Sequence, residues 1–93
     1  MIGTVKHKAL RRLFEQGDGK SIPPEMLKRI KRMISALDAA DDLKTLETVS
    51  GWRLHPLKGD MAGHWSMSDS GNWRLVFKWR DGVAEELDLV DYH

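Results

Sequence analysis

The amino-acid sequence predicts an α+β domain in which N-terminal helices pack on an antiparallel sheet. In the first half of the chain, apolar residues recur at helical spacing. The second half alternates apolar and polar residues, as half-buried strands do. Asp81-Gly82, a strong hairpin signal, separates the last two predicted strands. Because helices come first and short turns join the strands, we expect an antiparallel meander with the helices on one face.

Length and composition favour one small domain spanning residues 1–93. A chain of 93 residues, 41% of them hydrophobic, can bury one core between two layers. It has no cysteine, which excludes disulfides and thiolate metal ligands. The N-terminus lacks the apolar run of a signal peptide, and no segment approaches the roughly 20 apolar residues of a membrane span. We therefore expect a cytoplasmic protein without membrane contact.

The chain is predicted to begin with a short strand at residues 2–5 and a helix at residues 8–16. Gly17 is a natural stop for that helix. The apolar residues of the helix share one face, as expected for packing on a core. They are Ala9, Leu10, Leu13 and Phe14.

A second, longer helix is predicted from Pro23-Pro24 to about Ala40, since proline suits the first helical turn. A further helical turn is predicted at residues 41–46. Lysines and arginines cover the side of the long helix opposite its apolar face. That apolar face comprises Met26, Leu27, Ile30, Met33, Ile34 and Leu37.

Four strands are predicted in the second half: residues 52–55, residues 64–68, residues 73–80 and residues 83–90. Pro56 is expected to interrupt the first of these, and residues 69–71 to form a turn. The alternation suits three tryptophans for burial against the long helix and leaves Trp52 less certain. Those three are Trp65, Trp73 and Trp79.

Charge is distributed unevenly although the net charge is only +1. Residues 1–46 contain ten lysines and arginines against six acids, whereas residues 81–93 contain five acids and no lysine or arginine. Such a distribution permits a local anion-attracting face, although ordinary solubility explains it as well.

The four histidines do not predict a metal site, and no cofactor is expected. They lack the i, i+4 pairing of helical ligands, and there is no cysteine to complete a set. His7 lies in a lysine-rich helix start and is expected to be solvated. The four are His7, His55, His64 and His93.

Three C-terminal segments contain the residue types of phosphodiester chemistry. Arg74 is predicted on the strand face opposite Leu75, where it is either a rim charge or an anion clamp, since guanidinium binds phosphate bidentately. Asn72 fits a turn residue or a substrate contact. His55 and Lys58 flank the break at Pro56, as residues of a solvated loop or of a site.

The segment Asp91-Tyr92-His93 follows the last strand pattern directly, so we expect it to dock on the sheet. Histidine exchanges protons near neutral pH, and tyrosine can donate a hydrogen bond or stack on a base. In an undistorted strand, residues 91 and 93 share one face and residue 92 faces the other way. At most two of the three can therefore point into one site.

Several short motifs, in this order and spacing, resemble the HigB branch of the RelE superfamily of bacterial toxins from type II toxin–antitoxin modules. The resemblance extends over essentially the whole chain. It implies a microbial-RNase-like fold, a ribosome-dependent endonuclease that cuts messenger RNA in the decoding site, and a helix-turn-helix antitoxin. The segments that carry it are residues 6–10, 13–15, 53–60, 63–66, 72–74 and 90–93.

The same resemblance implies a set of active-site residues, all present here: His55, Lys58, Asn72, Arg74, Asp91, Tyr92 and His93. Metal-free RNA cleavage needs a base, a cation for the charge on phosphorus and an acid for the leaving oxygen. His93 is the candidate acid, with Lys58 and Arg74 suited to the charge.

Other roles and other functions stay open. Either His55 or Asp91 fits the base, and Asp91 could instead orient a histidine. Tyr92 would position or stack a base. The alternatives to an enzyme are a non-catalytic binding protein of this fold, acting with a helix-turn-helix antitoxin, and a free-standing RNA-binding module. The modest net charge disfavours the module.

Overall fold

A computed structural model of the chain describes residues 1–49, 51–68 and 72–91. In this structure three helices precede a four-stranded sheet of order β1-β2-β3-β4, in which all neighbouring strands are antiparallel. The α+β prediction is confirmed. The predicted turn at residues 69–71 lies outside the described residues. The elements are α1 (Lys8–Gln16), α2 (Pro24–Ala39), α3 (Leu43–Glu47), β1 (His55–Pro56), β2 (His64–Met67), β3 (Trp73–Arg80) and β4 (Val83–Asp91).

Helix α1 begins and ends as the sequence predicts. Gly17 takes a left-handed conformation with φ of 71°, and its N–H donates to the carbonyls of Arg12 and Leu13. His7 was expected to be merely solvated. Instead, its Nδ1 accepts a hydrogen bond from Leu10 N–H at 3.2 Å. His7 thus satisfies a helix N–H that lacks an intrahelical partner.

Helix α2 provides most of the helical part of the core. It follows Pro23, and Ala40 leaves the helical conformation with ψ of 131°. The short helix α3 starts after Asp42, whose carboxylate accepts from Lys44 N–H at 3.0 Å. The buried residues of α2 are Ile30, Met33, Ile34 and Leu37, all from the predicted apolar face.

The predicted first strand at residues 2–5 is wrong as a regular strand. Ile2 and Val5 instead make two isolated parallel bridges to β4, at Ala84 and Leu87. The ladder is interrupted because Glu86, between those partners, has φ of 53° and donates its N–H to Thr4 Oγ1 at 2.8 Å. The segment nevertheless lies along the edge of β4 and protects it.

The first sheet strand is also displaced from its predicted place at residues 52–55. Arg53 has φ of 50°, which interrupts an extended chain, and strand β1 contains only His55 and Pro56. Pro56 therefore lies within a strand instead of interrupting one. It is tolerated because β1 is at the edge of the sheet, where a missing N–H breaks no central ladder.

The hairpin between β3 and β4 is confirmed at Asp81-Gly82. Both residues have positive φ, 53° and 79°, as a type I′ turn requires. Farther along β4, the register changes between Lys78↔Glu85 and Val76↔Asp88, so that Glu86 and Leu87 together face a single residue of β3. This bulge shifts the alternation of β4 by one residue.

Because of the bulge, Ala84, Leu87 and Leu89 of β4 all lie on the helix-facing side of the sheet, the same side as the apolar residues of β3. Trp52 is 6% exposed and belongs to the core, whereas the other three tryptophans are only partly buried against it. The expectation for Trp52 thus underestimated its burial. It lies ahead of β1 rather than in a strand, so strand alternation does not decide where its side chain packs.

No helix within the described ranges is long and apolar enough to cross a membrane.

Candidate active site

The side of the sheet turned away from the helices, called the outer face here, carries the polar residues of β2, β3 and β4. It is not a bare surface, because Val76 at its centre is only 2% exposed and Ser66 is fully buried. A groove of ≈ 250 Å³ crosses part of it. The groove is lined by Lys6, Met61, His64, Val76, Glu86, Asp88 and Val90.

Arg74 lies on the outer face near the start of β3. The register places it opposite Val90, while its neighbours Trp73 and Leu75 face the helices. Its Nη1 donates a hydrogen bond to the hydroxyl of Ser68 at 3.0 Å. Arg74 is not itself part of the groove lining, but its register partner Val90 is, and its guanidinium is oriented by the buried hydroxyl of Ser68.

His55 lies on edge strand β1, opposite Ser66, which in turn is opposite Val76. Directly opposite residues point to the same face, so the register places His55 on the outer face with Arg74. His55 Nδ1 is 2.7 Å from the carbonyl oxygen of Arg53. A carbonyl can only accept, so Nδ1 carries the hydrogen, and Nε2 of the neutral ring is left to accept a proton.

Lys58 and Asn72 are exposed and lie outside the strands. Lys58 precedes the 3₁₀ turn Gly59–Met61. The N–H of Leu57 donates to the carbonyl of His64, which pairs with Lys78. The chain after His55 therefore runs away from Arg74, and the backbone of Lys58 lies farther from Arg74 than the backbone of His55 does. Asn72 directly precedes β3, in agreement with its predicted turn position.

Asp91 ends β4 and is exposed. It lies opposite Trp73, and therefore on the helix side of the sheet rather than on the outer face with Arg74. Asp91 and Arg74 are nevertheless at the same end of the sheet, because Val90, the residue before Asp91, is the register partner of Arg74. The other two residues of the predicted C-terminal set, Tyr92 and His93, lie outside the described residues.

The opposite end of the outer face has its own charged cluster around Glu86. The ammonium of Lys78, hydrogen-bonded to Glu86 Oε2 at 2.9 Å, lowers the pKa of the Glu86 carboxyl, with smaller effects from His64 and Lys6. Both side chains of the pair are about half exposed, 47% and 49%, so the pair contributes little to stability. Lys78 is therefore paired with a carboxylate of its own sheet face.

Sequence reasoning missed the two serines of β2 and its C-terminal flank. Ser66 and Ser68 are 0% and 4% exposed, and the hydroxyl of Ser68 accepts a hydrogen bond from Arg74. The alternation of residues 64–68 already places both serines on one face of the strand and Trp65 and Met67 on the other. Combining that alternation with the register of β3 would have indicated their side of the sheet.

The residue types on this face suit two parts of a phosphodiester cleavage. An arginine can bind phosphate oxygens, and a histidine Nε2 without a hydrogen can accept a proton. From ideal strand spacing, their Cα atoms are roughly 12 Å apart, so both side chains can approach a ligand between them. Across residues 1–49, 51–68 and 72–91, no three His, Asp or Glu side chains lie together as ligands for a metal ion.

Two solved structures share this architecture. A YafQ variant from E. coli superposes with a TM-score of 0.63 at 16% identity, covering 98% of this chain and 91% of that one. The YoeB/ParE toxin from Agrobacterium tumefaciens superposes with a TM-score of 0.53 at 19% identity, covering 98% and 99%. The fold is therefore that of the RelE-like toxins.

Sequence comparison defines the family within that fold. The model of the RelE-like toxin of type II toxin–antitoxin system HigB matches residues 3–93. Endoribonuclease HigB of Proteus vulgaris is 40% identical over 93 residues, the full length of both proteins. Toxin HigB-1 of Vibrio cholerae serotype O1 is 32% identical over 80 residues, covering 85% of this chain and 84% of that protein. The chain belongs to the HigB-like toxin family of type II toxin–antitoxin systems, as its motifs predict.

Proposed function

We propose that this chain is a metal-independent endoribonuclease that cuts translated messenger RNA in the decoding site of the ribosome. The observation that carries the proposal is Arg74, oriented on the outer face of the sheet with His55 on the same face. The name of the Proteus vulgaris relative, an endoribonuclease, supports the same reaction. Stopping translation by cutting its messages would explain the toxin's effect on a cell.

The proposed reaction uses the ribose 2′-hydroxyl of the RNA as an internal nucleophile. A base removes its proton, and the 2′-oxygen forms a bond to phosphorus. The bond from phosphorus to the 5′-oxygen breaks, and an acid protonates that oxygen. The products are a 2′,3′-cyclic phosphate and a free 5′-hydroxyl, so no water and no metal ion enter the balance of atoms.

Between the two candidate bases, we propose His55. Its Nδ1 is 2.7 Å from the Arg53 carbonyl, which holds the hydrogen on Nδ1 and leaves Nε2 as the proton acceptor. The register supports this choice, because His55 is on the outer face with Arg74 whereas Asp91 is on the side of Trp73. Asp91 would then orient a histidine rather than take the proton itself.

Arg74 would hold the nonbridging oxygens as negative charge builds on phosphorus. Lys58 would add a second cation, because its flexible side chain can move its ammonium toward the substrate as the substrate binds. His93 would donate the proton to the 5′-oxygen. Asn72 and Tyr92 would bind the substrate, the amide through hydrogen bonds and the phenol ring by stacking on a base.

The ribosome would provide positioning for the reaction. Holding a substrate in the right geometry removes much of the entropic cost of the reaction, and His55 and Lys58 are both exposed to a partner. We therefore propose messenger RNA and the ribosomal decoding site, with its ribosomal RNA, as partners, and the cytoplasm as the place of action.

A type II toxin also has an antitoxin partner, since the family is defined by toxin–antitoxin pairs. We propose that this partner is a HigA-like protein with a helix-turn-helix domain. A small helix-turn-helix gene beside the toxin gene would support the assignment.

Expressing the chain alone in a bacterial host is expected to arrest growth, because translated messages would be cut. Loss of intact message, measured by primer extension after induction, should precede the arrest. The Arg74→Ala variant is the matched control and should permit growth at the same protein level. Normal growth with abundant, folded wild-type protein would contradict the proposal. It would favour instead a non-catalytic protein of this fold that acts with its antitoxin.

A further inference from the structure

Ser68 contacts the side chain of Arg74 directly. Its Oγ accepts a hydrogen bond from Arg74 Nη1 at 3.0 Å, and the serine itself is only 4% exposed. A contact of this length is an ordinary, well-formed hydrogen bond. Because Arg74 is half-buried at this position, the bond fixes one nitrogen of the guanidinium and restricts the directions in which the others point.

Ser68 is itself held in place by the backbone. Its N–H donates to the carbonyl of Trp52 at 2.8 Å, and Trp52 is a core residue, 6% exposed. The residue before Ser68, Met67, is the last of β2 and fully buried. Ser68 therefore connects Arg74 to the core through two hydrogen bonds in sequence, so the position of the guanidinium depends on a rigid part of the molecule.

The chemical nature of the partner matters as well. A hydroxyl can accept a hydrogen bond from an arginine without adding a negative charge. An aspartate at the same place would orient the guanidinium equally well, but it would compete with a phosphate for the same cation. A small neutral acceptor is therefore the residue type that orients Arg74 while adding no opposing charge of its own.

We propose that Ser68 is a positioning residue for RNA cleavage: it does not touch the substrate, and it holds Arg74 in the geometry that stabilises the charge on phosphorus. The inference rests on the proposed function. A site that depends on geometry loses on the order of a hundredfold in rate when a group is misplaced by about 1 Å. Since the contact acts on the transition state, kcat should fall while KM changes little.

The first test compares three variants in cleavage of messenger RNA on programmed ribosomes. Ser68→Ala should lower kcat roughly ten- to a hundredfold. Ser68→Thr keeps a hydroxyl and should retain most of the activity. Ser66→Ala is the matched control, because Ser66 is a buried serine two residues away on β2 and its Oγ has no hydrogen-bond partner in the described part of the chain. It should cut at close to the wild-type rate.

The second test is a double-mutant cycle, which a purely structural role would not satisfy. If Ser68 acts through Arg74, then adding Ser68→Ala to Arg74→Ala should lower the rate no further. An equal additional loss in that background would overturn the role of Ser68, as would a Ser68→Ala variant that cuts within about threefold of wild type. Circular dichroism and thermal unfolding of each variant show whether the fold is retained.

The outcomes separate the two proposals. A wild-type protein that cuts no RNA on ribosomes would overturn the proposed function, and the role of Ser68 with it. A wild-type protein that cuts, together with an inactive Arg74→Ala and an unimpaired Ser68→Ala, would overturn the role of Ser68 alone.

Discussion

Replacing Arg74 with alanine is expected to lower the rate of messenger RNA cleavage by roughly a hundredfold or more while leaving the fold largely intact. During the proposed reaction, negative charge accumulates on the nonbridging oxygens of the phosphate. A preoriented guanidinium stabilises that charge without having to reorganise, and its removal leaves the charge without this partner. The loss should therefore appear in the chemical step.

The fold should tolerate the change because Arg74 is not a core residue. The register places it on the outer face, while the apolar neighbours Trp73 and Leu75 face the helices. The hydrogen bond to Ser68 is lost, which typically costs about 1–3 kcal/mol because a buried hydroxyl is left without this partner. Thermal unfolding should therefore remain cooperative, at a lower temperature than in the wild type.

Arg80→Ala is the matched control, since it removes an arginine from the same strand at a place far from the site. The side chain of Arg80 is 74% exposed and pairs with Glu85 at 3.4 Å, so its loss should change neither activity nor stability appreciably. Near-normal cleavage by Arg74→Ala, or gross unfolding of that variant by circular dichroism, would each contradict the role given to Arg74.

Deleting His93 alone is expected to remove most of the activity without preventing association with the ribosome. If His93 is the general acid, the 5′-oxygen must leave as an unprotonated alkoxide in the truncated protein. General acid–base catalysis typically contributes about a hundred- to ten-thousandfold. Phosphate contacts from the basic residues would remain, so the truncated protein should still co-sediment with ribosomes.

The deletion separates chemistry from folding. Strand β4 is paired with β3 as far as Asp91, opposite Trp73, so the described strand pairing is complete before residue 93. Leu87 and Leu89 anchor the strand in the core at 0% and 8% exposure. A residue beyond such an anchored strand normally contributes little to stability.

The defect of the deletion should shrink when the leaving group needs no proton. A messenger RNA with a 5′-thio linkage at the cut provides such a leaving group, and the wild-type and truncated proteins should cleave it at more similar rates. A truncated protein that cuts ordinary messages at close to the normal rate would show that His93 is not the acid. Tyr92 or Lys58 would then become the next candidate.

Local patterns in the sequence predict the helices and the central hairpin because each depends on near neighbours. The face of Arg74 follows from simple alternation in β3, and the type I′ turn follows from Asp81-Gly82. The side of Asp91 is also foreseeable, because it shares its alternation with Leu87 and Leu89. These features need no knowledge of the tertiary structure.

The rest depends on contacts between distant residues. The left-handed conformation of Arg53 delays the start of the first sheet strand to His55. The bulge at Glu86 is stabilised by a hydrogen bond to Thr4, near the other end of the chain. The bond between Ser68 and Arg74 likewise requires β2 and β3 to be paired in register. No pattern within either segment indicates those contacts. The sequence therefore suggests Arg74 as an anion clamp but does not reveal the hydrogen bond from Arg74 to Ser68.

Ribosome-dependent cleavage is best measured with the purified protein and a defined messenger RNA, with and without programmed ribosomes. We expect a cut within the codon in the decoding site only when ribosomes are present. The upstream fragment should end in a 2′,3′-cyclic phosphate, and the downstream fragment should begin with a 5′-hydroxyl. Equal cleavage without ribosomes, no cleavage with them, or fragments ending in a 3′-hydroxyl and beginning with a 5′-phosphate would rule out the proposed reaction.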